Sequence, residues 1–207
     1  MKIVLVMVVL CAAIEEQWNV ILPFEVKKGA EQFSPSVKFD KKIVTLRNRG
    51  SIATKESYGE GATFKTTWRW TKGKEEGKYH DHLLVVFFSS GNHRPKWPCE
   101  VIDGLSFRFN PGAGGISVEH LEADKDPVSV KKKAELVFER DKDYQVVVQA
   151  TPKNFIVSID GNVVLQGDVP KGLTGKKIVV YNREPVAGVE MESVLTDPLL
   201  IAAPRLD

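Results

Sequence analysis

Apolar and polar residues alternate with a period of two along much of the chain. In residues 62–70, Ala62, Phe64, Thr66, Trp68 and Trp70 fall on one face, and Thr63, Lys65, Thr67 and Arg69 on the other. A half-buried β-strand imposes that period. Residues 43–47, 51–55, 100–109, 116–121, 144–149, 155–159, 163–165, 177–181 and 189–194 read as further strands. Val101, Leu105, Phe107 and Phe109 mark the apolar side of the segment 100–109. Residues 83–88 (Leu-Leu-Val-Val-Phe-Phe) are continuously apolar, which predicts a central strand covered on both faces. No segment sustains the i, i+3, i+4, i+7 stripe of an amphipathic helix.

Turn chemistry punctuates these runs. Asn48-Arg49-Gly50 and Tyr58-Gly59-Glu60-Gly61 predict turns, and residues 110–115 a hairpin loop. Asp160-Gly161 is the strongest two-residue hairpin signal in the chain. Residues 123–133, ending in Lys131-Lys132-Lys133, read as a charged, solvated loop. About a dozen strands at roughly 8–12-residue spacing argue for a sandwich or barrel.

Segments in both halves of the chain resemble known β-sandwich families. Residues 144–148 (Tyr-Gln-Val-Val-Val) and 155–164, with Asp160-Gly161 before the return strand, resemble concanavalin A-like lectin/glucanase domains. Residues 175–181 and 188–194 look like the closing pair of strands. Residues 50–59, leading into 64–70, resemble the bacterial 3-keto-disaccharide hydrolase-type domain, formerly a domain of unknown function. The resemblance covers about residues 44–199 and implies an all-β fold, a concanavalin A-like jelly-roll sandwich of two antiparallel sheets. It also implies saccharide binding in a concave-sheet groove. Hydrolysis of a glycosidic bond and a non-catalytic structural or adhesive envelope role are the alternatives.

Composition narrows the partners. Lys plus Arg number 29 and Asp plus Glu 27, a net charge of +2 over 207 residues. Such a balance gives no global field for nucleic acid or an acidic membrane. No run approaches the roughly 18 apolar residues of a membrane-spanning helix. Residues 1–13 have one lysine, an apolar run and a small residue at Ala13, the layout of a secretory signal peptide. A buried first strand or a lipoprotein signal with Cys11 acylated are the other readings. Removal of residues 1–13 would leave residues 14–207 as one domain in a secreted, periplasmic or cell-envelope setting, with Cys99 the sole cysteine.

The candidate chemistry is sparse. Laminarinase-type enzymes place carboxylates two apart on one strand, and retaining glycosidases need two flanking the scissile bond. Here Glu100 and Asp103 are three apart with Ile102 between them, so a regular strand points them to opposite faces. Glu100 is a weak catalytic candidate. On a regular strand it shares a face with Arg108, and Arg69 on the same sheet would complete a polar group able to orient sugar hydroxyls. Trp70, Trp97 and Tyr79 lie near loops, where a flat ring can stack on a pyranose; Trp68 reads as core with Phe64. The expected saccharide-binding residues are therefore Arg69, Trp70, His82, Trp97, Glu100 and Arg108. His80 and His82 share a strand face at ligand spacing, with His120 or Glu100 as a third ligand, but His82 reads more simply as a hydrogen-bonded core residue. No cofactor is expected: residues 112–115 sit between strands rather than opening a helix, and no nucleophile elbow occurs.

Overall fold

The alternating residues pair into two antiparallel sheets that bury their apolar faces against each other. The computed structural model describes residues 18–21, 36–73, 82–90, 94–95, 100–101, 103–111, 115–122, 125–133, 136–182 and 189–202. In chain order the strands are β1 (Trp18–Ile21), β2 (Ser36–Asp40), β3 (Ile43–Arg47), β4 (Ser51–Thr54), β5 (Ala62–Lys72) and β6 (Leu83–Ser89). Next come β7 (Arg94–Pro95), β8 (Glu100–Val101), β9 (Gly104–Asn110), β10 (Gly115–Leu121) and β11 (Val128–Lys133). The last are β12 (Tyr144–Ala150), β13 (Asn154–Ile159), β14 (Asn162–Asp168), β15 (Lys177–Tyr181) and β16 (Glu192–Ala202). One sheet has the order β1-β4-β15-β6-β9-β10-β11 and the other β14-β13-β12-β5-β16-β3-β2; β7 and β8 form a separate two-stranded ribbon. We call the first sheet A and the second sheet B. Among the described residues there is no helix long and apolar enough to cross a membrane.

The core lies between the sheets. Phe64 and Trp68 of sheet B are fully buried with Leu83, Val85, Phe107 and Phe109 of sheet A. Rings meet edge-on or tilted: Trp68 lies 5.8 Å from Phe109 and 5.1 Å from Phe138, and Phe107 lies 5.4 Å from Phe155. Such contacts add to the burial that drives the packing. One polar thread crosses this interior. Trp68 Nε1 donates to Ser193 Oγ at 3.3 Å, and Ser193 Oγ donates to the His82 carbonyl at 2.5 Å. It satisfies an indole N–H that would otherwise be costly to bury.

A second polar thread closes one end. Asn182 Nδ2 donates to the Leu46 and Met191 carbonyls at 2.9 and 3.3 Å, and Asn48 Oδ1 accepts from the Met191 amide at 2.8 Å. These bonds tie the β3–β4 turn to the exit of β15 and the start of β16. Asp160 and Gly161 both take positive φ, 51° and 79°, as the predicted two-residue hairpin requires.

Several expectations are corrected. Residues 128–133 are not loop but β11, the outer strand of sheet A. Lysines suit an edge because they discourage pairing with another chain, and the aliphatic part of Lys131 lies by Gly167 of β14. Segments 177–181 and 188–194 are not a pair: β15 lies between β4 and β6 in sheet A, and β16 between β3 and β5 in sheet B. Strands β1 and β2 lacked a sequence signal. The segment 100–109 is not one strand. Glu100 and Val101 pair with Pro95 and Arg94, and β9 begins at Gly104, whose φ is 129°. The signal-peptide reading of residues 1–13, and Cys11 with it, falls outside the described residues, as does Cys99.

The core makes a quantitative prediction. Trp68→Ala should lower unfolding free energy by about 3–5 kcal/mol in urea titrations. Val163→Ala, at a side chain 60% exposed, should change it by less than about 0.5 kcal/mol. Equal losses at the two positions would contradict this packing.

Candidate functional site

The two sheets treat their outward faces differently. On sheet B that face is solvated: Lys65, Gln145 and Gln149 are exposed. Arg69 there faces Asp143, with Nε 3.1 Å from Oδ1 and both side chains substantially exposed. An ion pair in that setting contributes little. Arg69 therefore sits on sheet B and Arg108 on sheet A, so the two do not share the sheet expected of them.

On sheet A the outward face is enclosed. Ala53, Leu84, Val86, Leu121, Val179 and Tyr181 form a second buried cluster, separate from the main core. This is why β6 is apolar at every position but its last: Leu83, Val85 and Phe87 serve one cluster, Leu84 and Val86 the other. Directly paired residues of neighbouring strands point to the same face. Leu84 pairs with Arg108 and Arg108 with Ser117; Val86 pairs with Ser106 and Ser106 with Glu119. The register thus assembles Ser106, Arg108, Ser117 and Glu119 beside Leu84 and Val86.

Arg108 Nη2 lies 3.0 Å from Glu119 Oε2, with side-chain exposures of 10% and 20%. Enclosing two charges costs solvation that their attraction repays only in part, so such a pair is poor evidence for a stability role. Chemically it offers guanidinium donors beside a carboxylate acceptor, the combination that recognises arrays of hydroxyl groups. Among the described strand residues, no second carboxylate joins Glu119 on this face.

The other expected site residues are dispersed. Trp70 is fully buried; its Nε1 donates to the Phe138 carbonyl at 3.2 Å, and Arg140 caps its ring at 4.9 Å. It presents no free face for a sugar ring. His82 is also fully buried, 4.6 Å from the Trp70 ring and packed so closely on Gly73 that a Cβ there would meet its Cε1 at 1.9 Å. Both are core residues, which corrects their expected contact with saccharide. Glu100 sits on β8, so the unbroken strand that would have placed it on one face with Arg108 does not exist. His120 is half-buried on β10, opposite Leu105 and Val128. His80, Tyr79 and Trp97 lie outside the described residues. Among the described residues, no three His, Cys, Asp or Glu gather as a metal site.

Sequence reasoning identified Arg108 but missed Glu119. The signal was available: Ser106 and Arg108 alternate with Leu105, Phe107 and Phe109, as Ser117 and Glu119 do with Ile116 and Val118. Folding residues 104–121 about the 110–115 loop brings the two polar sets together.

Comparison with known proteins supports the fold. No protein-family model matches the chain, and no curated protein does. The 3-keto-disaccharide hydrolase resemblance therefore rests on sequence patterns alone. Among solved structures, the carbohydrate-binding module CBM66 from Bacillus subtilis is 11% identical, with a TM-score of 0.61 over 90% of this chain and 96% of that one. The carbohydrate recognition domain of Emp47p is 14% identical, with a TM-score of 0.62 over 93% and 92%. The exoplasmic/lumenal domain of VIP36, in its Ca2+/Man-bound form, is 11% identical, with a TM-score of 0.56 over 92% and 86%. The fold is thus a concanavalin A-like β-sandwich.

A second charged cluster lies away from Arg108, where β3, β5 and β16 meet. Glu192 accepts hydrogen bonds from Arg47 Nε and from Thr71 Oγ1 (2.5 Å), while Lys72 Nζ lies 2.7 Å from Glu190 Oε2. Burial pushes the Glu192 carboxyl up; the bonds from Thr71 and Arg47 and the charges of Arg47 and Lys72 outweigh it and leave it below the usual range. A carboxyl lowered by folding stabilises above its unfolded pKa of about 4.3, and that contribution is lost as pH falls through the folded value. Glu192→Gln should therefore be less stable than wild type in urea at pH 7, with the gap closing towards pH 3. A gap that stays constant with pH would show that Glu192 acts without its charge.

Proposed function

We propose that this chain is a saccharide-binding β-sandwich domain, and that its binding surface is the outward face of sheet A with Arg108 and Glu119 as polar anchors. The enclosed Arg108–Glu119 pair on a face directed away from the core carries this reading. Vicinal sugar hydroxyls both donate and accept, so a guanidinium beside a carboxylate can bind them from two sides. Ser117, half-buried on β10, adds a hydroxyl beside them, over a buried floor of Leu84, Val86 and Ser106. The solved structures that share the fold include a carbohydrate-binding module and a carbohydrate recognition domain, and VIP36 was seen with Man bound. Trp97 and Glu100 remain part of the proposal, as a stacking ring and a further acceptor. The proposed setting is extracytoplasmic. The signal-like residues 1–13 support it, as does the exoplasmic/lumenal origin of the VIP36 domain.

A glycan array probed with the chain tests this reading, with each bound glycan also incubated overnight and examined for cleavage. The expected outcome is binding without cleavage. Glu119→Gln should still unfold in one cooperative transition, at a lower melting temperature because Arg108 loses its counter-charge, and at a temperature where it is folded should bind about tenfold or more weakly, since a bond to a charged partner is worth about 1.5–3 kcal/mol. Cleavage would turn the assignment to a hydrolase. Full binding by the Gln variant would move the site away from this face.

A further inference from the structure

The outward face of sheet A opens in one direction. Along the row Leu84, Arg108, Ser117 and Lys132, side chains pass from buried through half-buried to exposed. The adjacent row Val86, Ser106, Glu119 and Ser129 does the same. The enclosed middle of the sheet thus gives way to an accessible ledge along β10 and β11. Among the described residues, this ledge is the open approach to Arg108 and Glu119.

A bulge decides which lysine of the run 131–133 faces the ledge. Between β10 and β11 the register slips by one residue, so Val118 pairs with Lys131 while Glu119 pairs with Ser129. The extra residue is Val130, which packs against the main core. Lys131 lies on the same inner side, with its Cδ by Gly167 of β14. Lys132 pairs with Ser117 and so shares the outward face. Strict alternation from Ser129 would instead send Lys131 outward and turn Lys132 inward.

Charge on the ledge is unbalanced. Glu119 is already paired with Arg108. Among the described residues of β9, β10 and β11, no other carboxylate faces outward, and Lys132 is exposed with no ion-pair partner. Two strand spacings, about 10 Å, separate it from Arg108, with Ser117 between them. A lysine that only discourages edge pairing needs its charge but no particular face. Here the bulge sets the face.

We propose that Lys132 is a specificity-determining residue and that the ligand of this face is an acidic saccharide. Its anionic group, a carboxylate or a sulfate, meets Lys132 while neighbouring hydroxyls meet Ser117, Arg108 and Glu119. This inference rests on the saccharide-binding reading and names the class of sugar. The partly solvated ledge strengthens the attraction relative to bulk water and leaves it sensitive to salt.

The test is calorimetric titration of the full chain at about 0.1 M salt, where screening leaves mainly close pairs. The probes are hexagalacturonate against its carboxyl-reduced form, and a κ-carrageenan hexasaccharide against its desulfated form. The first pair reads a carboxylate and the second a sulfate. The expected result is that one acidic probe binds about five- to tenfold more tightly than its uncharged counterpart, by a margin that shrinks as salt is raised. Lys132→Gln should erase that preference, while Lys132→Arg and Lys131→Gln should retain it. None of these exposed substitutions should move the urea unfolding midpoint. Equal binding of acidic and uncharged forms, or a preference that survives in Lys132→Gln, would overturn the inference and leave the saccharide-binding reading intact. An equal loss in Lys131→Gln would overturn it by showing that edge charge alone is read. Equally tight binding of polyphosphate, which offers anions without sugar hydroxyls, would do the same. Binding of none of the four probes overturns the inference, and the glycan array then decides whether the broader reading survives.

Discussion

Enclosure of β6 on both faces is the constraint on which the rest of the structure depends. A strand in an ordinary two-layer sandwich buries one face and wets the other. Here Leu83, Val85 and Phe87 pack into the inter-sheet core while Leu84 and Val86 join a second cluster beyond the sheet. That second cluster makes the outward face of sheet A a low-dielectric environment. Charges held there are few, and each carries a solvation cost. The Arg108–Glu119 pair stands out for that reason, whereas the Arg69–Asp143 pair on the wet face of sheet B does not.

The same strand links stability to the proposed site. At its start, the carbonyl of His82 anchors the thread from Trp68 through Ser193, which holds sheet B to sheet A. At its end, a register shift at Phe88, which takes a φ of 57°, breaks the alternation and turns Ser89 and Ser90 onto Asp103. Strain of this kind persists only where the surroundings over-determine it. Gly104 and Gly175 supply the close backbone approach that does so. The same strand therefore carries the inter-sheet thread at one end and a register shift at the other.

Much of the fold was legible because strands with one wet face declare themselves. β5, β12 and β13 alternate cleanly, and Asp160-Gly161 marks its own hairpin. β6 was legible for the opposite reason, as an uninterrupted apolar run. β11 was hidden because its edge position calls for lysines, the composition of a loop. The site was harder to read, because its residues come together only through register. Arg108 is visible as a charge on an apolar strand, but its partner depends on which residue of β10 lies opposite Ser106. Trp70 and His82 misled because proximity to a loop in sequence says nothing of burial; each packs on the other inside the sandwich. The alternation that tied Glu100 to Arg108 does not run through: β8 ends at Val101, and β9 begins at Gly104 with a positive φ.

Backbone amide shift mapping tests the central claim most directly. The ligand would be the oligosaccharide with the highest affinity, titrated into isotope-labelled protein. The account predicts that perturbed amides cluster on β6, β9, β10 and β15, around Leu84, Ser106, Arg108 and Glu119, while β5, β12 and β13 stay still. Perturbations centred on Lys65, Gln145 and Gln149 would place binding on the solvated face of sheet B and contradict it.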